Sequence, residues 1–388
     1  MDDDALRAYL GEIPVPELEG APWAAPPPLA DCTVAVVTTA ALRLPADEPF
    51  ARVDPSFRTL PTSARDLVLD HWSPTFDRAA FAADLNVVYP VDRLTELAAA
   101  GTIGAVAKRH VSFSGSQEDS VSDIRLETGP RAAAMLRADG VDVALLAPVA
   151  PMCSRTVCVL AHILEAHGIA TVALIPIQRL AERMRPPRVL CCEFPLGRPL
   201  GRPGDAHYQH EVIARAFGLL AAPEGPVLAS HPDRIVRGLV ALPCPLPARI
   251  DLEVPAAVDE VRALRGAYDQ YRSTHGRSSV GRVVTPDHIE ELAAMFDAIA
   301  GGVPWREAGL PAHPIVCALE LRTYYEEAAL ALTGVVPEPG AAESWFYGAT
   351  ATGGAITAAR DAMRAADAPF GVWYYLATDV ATDVAGEA

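Results

Sequence analysis

The apolar positions of this chain change their period partway along it. From about residue 31 to 222, short β-branched or continuously apolar runs alternate with longer segments whose apolar residues recur every three or four positions. The short runs read as buried strands: Thr33–Thr39, Val87–Tyr89, His110–Ser114, Val141–Ala147, Ala170–Ile175 and Arg188–Cys192. The longer segments read as helices: Val91–Ala99, Glu127–Asp139, Thr156–His167, Gln178–Met184 and His207–Leu220. Gly101, Gly140 and Gly168 follow three of them as stop signals. This alternation predicts an α/β fold with a doubly wound, mostly parallel sheet. From Ala256 the strand pattern ends. Val258–Ser273, Pro286–Ala300, Ile315–Thr333 and Thr352–Ala366 read as amphipathic helices, which predicts a mainly helical C-terminal domain.

Proline placement divides these regions. The chain has 35 prolines, and they cluster at Pro14 to Pro28, at Pro186-Pro187 and at Pro243 to Pro255. Residues 1–30 therefore read as a proline-rich arm with one short helix, Ala5–Leu10. Residues 31–222 form the α/β domain, 223–255 a linker, and 256–388 the helical domain. Residues 40–83 stand out as irregular. A connection that long inside a compact domain is usually functional. It carries His71-Trp72-Ser73-Pro74-Thr75-Phe76-Asp77-Arg78, and the expectation is a lid over the strand ends.

Net charge narrows the function classes. At −17, with no long basic run, the chain is not expected to bind nucleic acid. Its apolar stretches are interrupted by charges and prolines, so no membrane span is expected. The acidic start, Met1-Asp2-Asp3-Asp4, does not resemble a secretory signal, and a cytoplasmic protein is expected. The seven cysteines are odd in number and irregular in spacing, so neither a disulfide framework nor a structural zinc site is expected. No GxGxxG or Walker sequence occurs, and no cofactor is expected.

Active sites of parallel sheets lie beyond the C-terminal ends of the strands. Thr38-Thr39, Ala150 to Cys153, Pro176 to Gln178 and Glu193 to Arg198 all fall there. Cys153 begins a helical pattern, where unpaired N–H groups favour a thiolate, and Arg155 adds positive charge nearby. The alternative is a small buried hydrophobe. His71 in the long loop is either a base near neutral pH or a packed loop residue. Thr38, Thr39, Arg78, Arg155, Glu193 and Arg198 are the expected substrate-binding residues, the arginines as carboxylate partners. His207 and His210 allow a metal-dependent alternative that draws on His71 and Cys153, although no metal site is the expectation.

The segment Val149-Ala150-Pro151-Met152-Cys153 resembles the selenoprotein B family of glycine, sarcosine, betaine and D-proline reductases. Members carry selenocysteine, followed three residues later by cysteine, at such a turn. Asp84 to Leu94, Gly101-Thr102-Ile103-Gly104, Val172 to Ile177 and Phe194 to Pro199 extend the similarity over residues 31–222. Cys153 takes the second position, and Ala150 occupies the selenocysteine position. The resemblance implies a reductase of small amino acids or N-methylated glycines, working with a partner protein. With Ala150 in place, it implies a cysteine-dependent reductase or lyase of a small polar nitrogen- or sulfur-containing substrate. The other reading is a non-redox binding subunit that has lost the nucleophile. A partner protein or a homo-oligomer is expected in either case.

Overall fold

The structure, a computed structural model, describes residues 3–18, 20, 22–238 and 240–377. The chain divides into two compact units. Among the described residues, an α/β unit takes those of 3–71 and 84–236, and a helical unit takes those of 72–83 and 237–377.

The α/β unit contains β1 (Thr33–Thr38), β2 (Leu42–Arg43), β3 (Phe57–Pro61), β4 (Val68–Leu69), β5 (Ala105–Val106), β6 (Arg109–Phe113), β7 (Val143–Ala147), β8 (Ala170–Ile175), β9 (Arg188–Cys191) and β10 (Val227–Ser230). The main sheet runs β10-β9-β8-β7-β1-β6-β3, with β5 also beside β1. Its pairings are parallel except β3 on β6. Every residue of β7 and β8 is buried, as a parallel sheet covered by helices on both faces requires. Alternate residues Ala35, Val37, Ala144, Leu146, Ala173 and Ile175 pack in one cluster with Val157, Leu160, Ala161 and Leu164 of the helix Cys153–Ala166. The expected doubly wound sheet is the fold of this unit.

Several boundaries differ from the sequence reading. Val87–Tyr89 is no strand. Residues Leu85–Val87 form a 3-10 turn capped by Asp84, whose carboxylate accepts from the Asn86 N–H at 2.9 Å. The apolar residues there are buried by packing rather than by pairing. Residues 40–83 are not irregular throughout: they hold β2, β3, β4 and the helix Arg78–Ala83. β3 escaped notice because all but one of its residues are only half-buried. β10 lies inside the span read as linker, and it extends the sheet by pairing with β9 from Val227↔Arg188 to Ser230↔Cys191. The helix expected from Thr156 begins three residues earlier, at Cys153.

A buried ion pair ties the proline-rich arm to this sheet. Arg188 on β9 donates to the Glu165 carboxylate at 2.6 Å, and both side chains are fully buried. The same carboxylate accepts from Thr171 N at 2.7 Å, from Thr171 Oγ1 at 2.9 Å and from Ala24 N. Arg188 also donates to Ala24 O at 2.8 Å and stacks on Trp23 at 3.5 Å. Burial lifts the Glu165 carboxyl above its ordinary value, while Ala24, Arg188 and Thr171 pull it back.

The helical unit is built around Pro314–Thr333, which is buried from Pro314 through Leu330. The helices Ala256–His275, Ile289–Ala300, Ala341–Ala349 and Ala351–Ala365 belong to the same unit. Ala341–Ala349 was not anticipated; it contributes Trp345, Phe346 and Tyr347 to the core. The central helix also buries four charged residues, each with specific partners. Arg322 bridges Glu326 at 2.7 Å and Glu343 at 3.1 Å. Glu320 accepts from the backbone N–H groups of Gly281, Arg282 and Val283. Glu327 accepts from Ser278 Oγ at 2.6 Å and Ser279 N at 2.8 Å.

Two predictions follow from these buried charges. Glu165→Ala strands Arg188 without its counter-ion and should cost about 3–5 kcal/mol, measured by urea unfolding monitored on a probe in the α/β unit. Burial raises the Glu327 carboxyl to about 8, so the folded chain holds a proton there that the unfolded chain has lost. Stability should therefore fall as pH rises from the ordinary glutamate range towards that value. Thermal midpoints followed across this window should decline for the natural chain and decline less for Glu327→Gln.

Candidate active site

β1 and β7 are neighbours in the sheet, yet the chain between them first builds β5 and β6 on the other side of β1. The winding reverses there, and the C-terminal ends of strands at such a reversal are the usual ligand position in these sheets. Thr38 and Ala147 are register partners at that end. Thr39 N extends the ladder by donating to Ala147 O at 3.2 Å.

After β7 the chain turns through Pro148–Met152 and enters the helix Cys153–Ala166. Cys153 N donates to Ala150 O at 3.0 Å, so Ala150 caps the turn that presents the thiol. The Cys153 thiol donates to Thr39 O at 3.4 Å. That carbonyl also accepts from Gly115 N at 3.2 Å, just beyond the end of β6. A Cβ on Gly115 would lie 2.2 Å from Cys153 Sγ, so only glycine fits against the sulfur. Thr156 Oγ1 locks the same loop by donating to Gly115 O at 3.0 Å.

His71 completes the arrangement. Its Nε2 lies 3.4 Å from Cys153 Sγ, and both residues are fully buried. The preceding Asp70 fixes this segment, with its Oδ2 accepting from Arg43 Nε at 3.1 Å and Phe50 N at 2.6 Å. A thiol and an imidazole at this separation can exchange a proton directly.

The thiol does not rest in the lowered range that a helix start alone suggests. Burial pushes its pKa up, and Thr39 and the backbone at Val149, Ala150 and Cys153 oppose that rise. Arg155 contributes nothing as a partner here. It lies two residues on, about 200° around the helix, and its guanidinium donates to Pro14 O at 3.0 Å, Asp119 at 2.5 Å and Gln117 O at 2.7 Å. It anchors the arm and the 115–119 loop.

The remaining expected residues fall in different places. Thr38 and Thr39 are fully buried at the C-terminal end of β1. The loop carrying Arg198 reaches the turn, because Gly197 N donates to Val149 O at 2.7 Å, and Arg198 is buried. Glu193 is exposed enough to pair with Arg234 at 3.3 Å. Arg78 belongs to the helical unit, where its guanidinium sits 5.3 Å from the Phe76 ring. His71 is the last residue of its stretch in the α/β unit, and Trp72–Ala83, with Arg78, belong to the helical unit. His210 is paired with Glu96 at 2.6 Å. Among the described residues no group of three or more His, Cys, Asp or Glu could hold a metal ion. Sequence reasoning missed Gly115 and Asp70. A glycine directly after the predicted strand His110–Ser114 was the available signal for the first. Nothing in the local pattern marked the second.

No known protein-family signature matches the chain, and no solved structure matches it. Among characterised proteins, D-proline reductase subunit gamma of Acetoanaerobium sticklandii is 30% identical to it over 187 residues, 47% of this chain and 76% of the relative. With the relative covered to that extent at that identity, the chain belongs to the family of D-proline reductase subunit gamma.

Proposed function

We propose that this protein is a cysteine-dependent reductase or lyase acting on a small polar nitrogen- or sulfur-containing substrate, with Cys153 as nucleophile and His71 as its proton partner. The observation that carries this reading is the 3.4 Å contact between Cys153 Sγ and His71 Nε2 in a fully buried setting. A buried neutral thiol needs a local base to become a nucleophile, and His71 is within reach. The thiolate attacks carbon, a C–S bond forms, and the amine leaves with the bonding pair and takes the proton held by His71. Reductive completion requires a second thiol to attack the sulfur, leaving a disulfide and a protonated product carbon. Selenoprotein B proteins keep their first nucleophile at the place of Ala150, so here that second thiol comes from a partner subunit or a small dithiol. The relative is itself named as a subunit of a reductase, which supports a protein partner. Thr38, Thr39 and Arg198 are proposed to hold the substrate, and the protein is proposed to work in the cytoplasm. Among the described residues no helix is long and apolar enough to cross a membrane.

Ala150 favours a second reading. It is buried and its carbonyl is bound to Cys153 N, as in a subunit that keeps the fold but only binds a metabolite. Turnover of D-proline and N-methylated glycines, assayed with a dithiol donor, separates the two. Cys153→Ser should abolish turnover, and His71→Ala should lower kcat by about 10²–10⁴. Binding without turnover in the natural chain, unchanged by Cys153→Ser, would establish the binding subunit instead.

A further inference from the structure

Thr39 carries two groups at the sulfur, and the resting arrangement uses one. Its carbonyl oxygen accepts the Cys153 S–H at 3.4 Å. Thr39 is also among the groups that oppose the rise of the thiol's pKa. Yet the Thr39 hydroxyl oxygen is buried and has no hydrogen-bond partner. A buried hydroxyl left without a partner costs free energy, and such groups call for an explanation when they stand at a reactive atom.

The chemistry of the sulfur supplies one. A thiol is a donor and is satisfied by a carbonyl. A thiolate is only an acceptor, and the Thr39 carbonyl then faces it with the wrong polarity. We propose that Thr39 is the positioning residue of this site: its carbonyl holds the Cys153 thiol at rest, and its hydroxyl donates to the sulfur once the proton has passed from Sγ to His71 Nε2. No other reactant is needed, because one S–H bond breaks and one N–H bond forms. The assignment rests on the thiol–imidazole reading given above.

The fold fixes Thr39 for this task. Its N–H is bound to Ala147 O and its carbonyl also takes Gly115 N, so its backbone cannot follow the sulfur. Gly115 presses against the sulfur from the side, where a Cβ would collide, and limits where the sulfur can move. The reorientation is thus left to one side-chain torsion of Thr39. Valine at this position keeps the shape and removes the donor. Serine keeps the donor and removes a methyl.

The test follows thiolate ultraviolet absorbance against pH, taken as the difference between each protein and the same protein carrying Cys153→Ser. It needs neither substrate nor reagent access. Thr39→Val should move the Cys153 midpoint upward by about one pH unit, as loss of one hydrogen bond to a charged group implies, and Thr39→Ser should bring it back. A midpoint unchanged in Thr39→Val, or displaced equally in Thr39→Val and Thr39→Ser, overturns the assignment. If Thr39→Val fails to fold, judged by its circular dichroism, Thr39→Ala set against Thr39→Ser gives the same comparison. A midpoint in the natural chain that ignores His71→Ala would instead refute the thiol–imidazole reading. The two failures are therefore distinguishable.

Discussion

The parallel pairing of β1 with β7 is the constraint on which the rest of the α/β unit depends. It closes the sheet at the point where the winding reverses, and it sets Thr38 opposite Ala147. Most of the candidate site is built from the few residues after those positions. Thr39 carries the ladder one step further, Cys153 opens the next helix, and Gly115 arrives from the neighbouring strand to meet both. A slip of one residue in this register would turn the side chains of β1 to the opposite face. It would also shift the Thr39 carbonyl, which the thiol and Gly115 share.

Burial is the second governing influence, and it acts in opposite senses on different groups. Around Cys153 it holds the thiol neutral against the pull of the helix start. In the proposed mechanism the adjacent imidazole, rather than a standing thiolate, is what makes the sulfur a nucleophile. In the helical unit the same desolvation is met by dense pairing. Arg322 has carboxylates from two helices, and Glu320 and Glu327 take backbone N–H groups of one loop. Such groups are costly to bury. They are tolerated because each serves more than one segment of chain and so orders the loop as well as the helix.

Much of this was legible in the chain itself. The runs of β1, β7 and β8 are short and apolar, with Gly140 and Gly168 ahead of the latter two, and they form the strands their pattern describes. The stretch 87–89 misled because an apolar run marks burial, not pairing, and Asp84 captures it as a capped turn. β3 and β10 were invisible for the converse reason: edge strands are half exposed and carry too little pattern to register. Arg155 looked like a partner for the thiol because it is close in sequence. Helical geometry sends it elsewhere, to Pro14, Gln117 and Asp119.

By itself the sequence determined the α/β class, the helical C-terminal region and the presence of a cysteine at a strand-to-helix turn. Each is a local matter of period, β-branching and stop residues. Only the tertiary structure decided what that cysteine touches. His71 is separated from Cys153 by 82 positions and Thr39 by 114, and no local pattern encodes contacts at such range. They arise because strand order is a global choice. The chain passes to one side of β1 and then back to the other, and the reversal brings a loop carbonyl, a glycine and an imidazole to one sulfur.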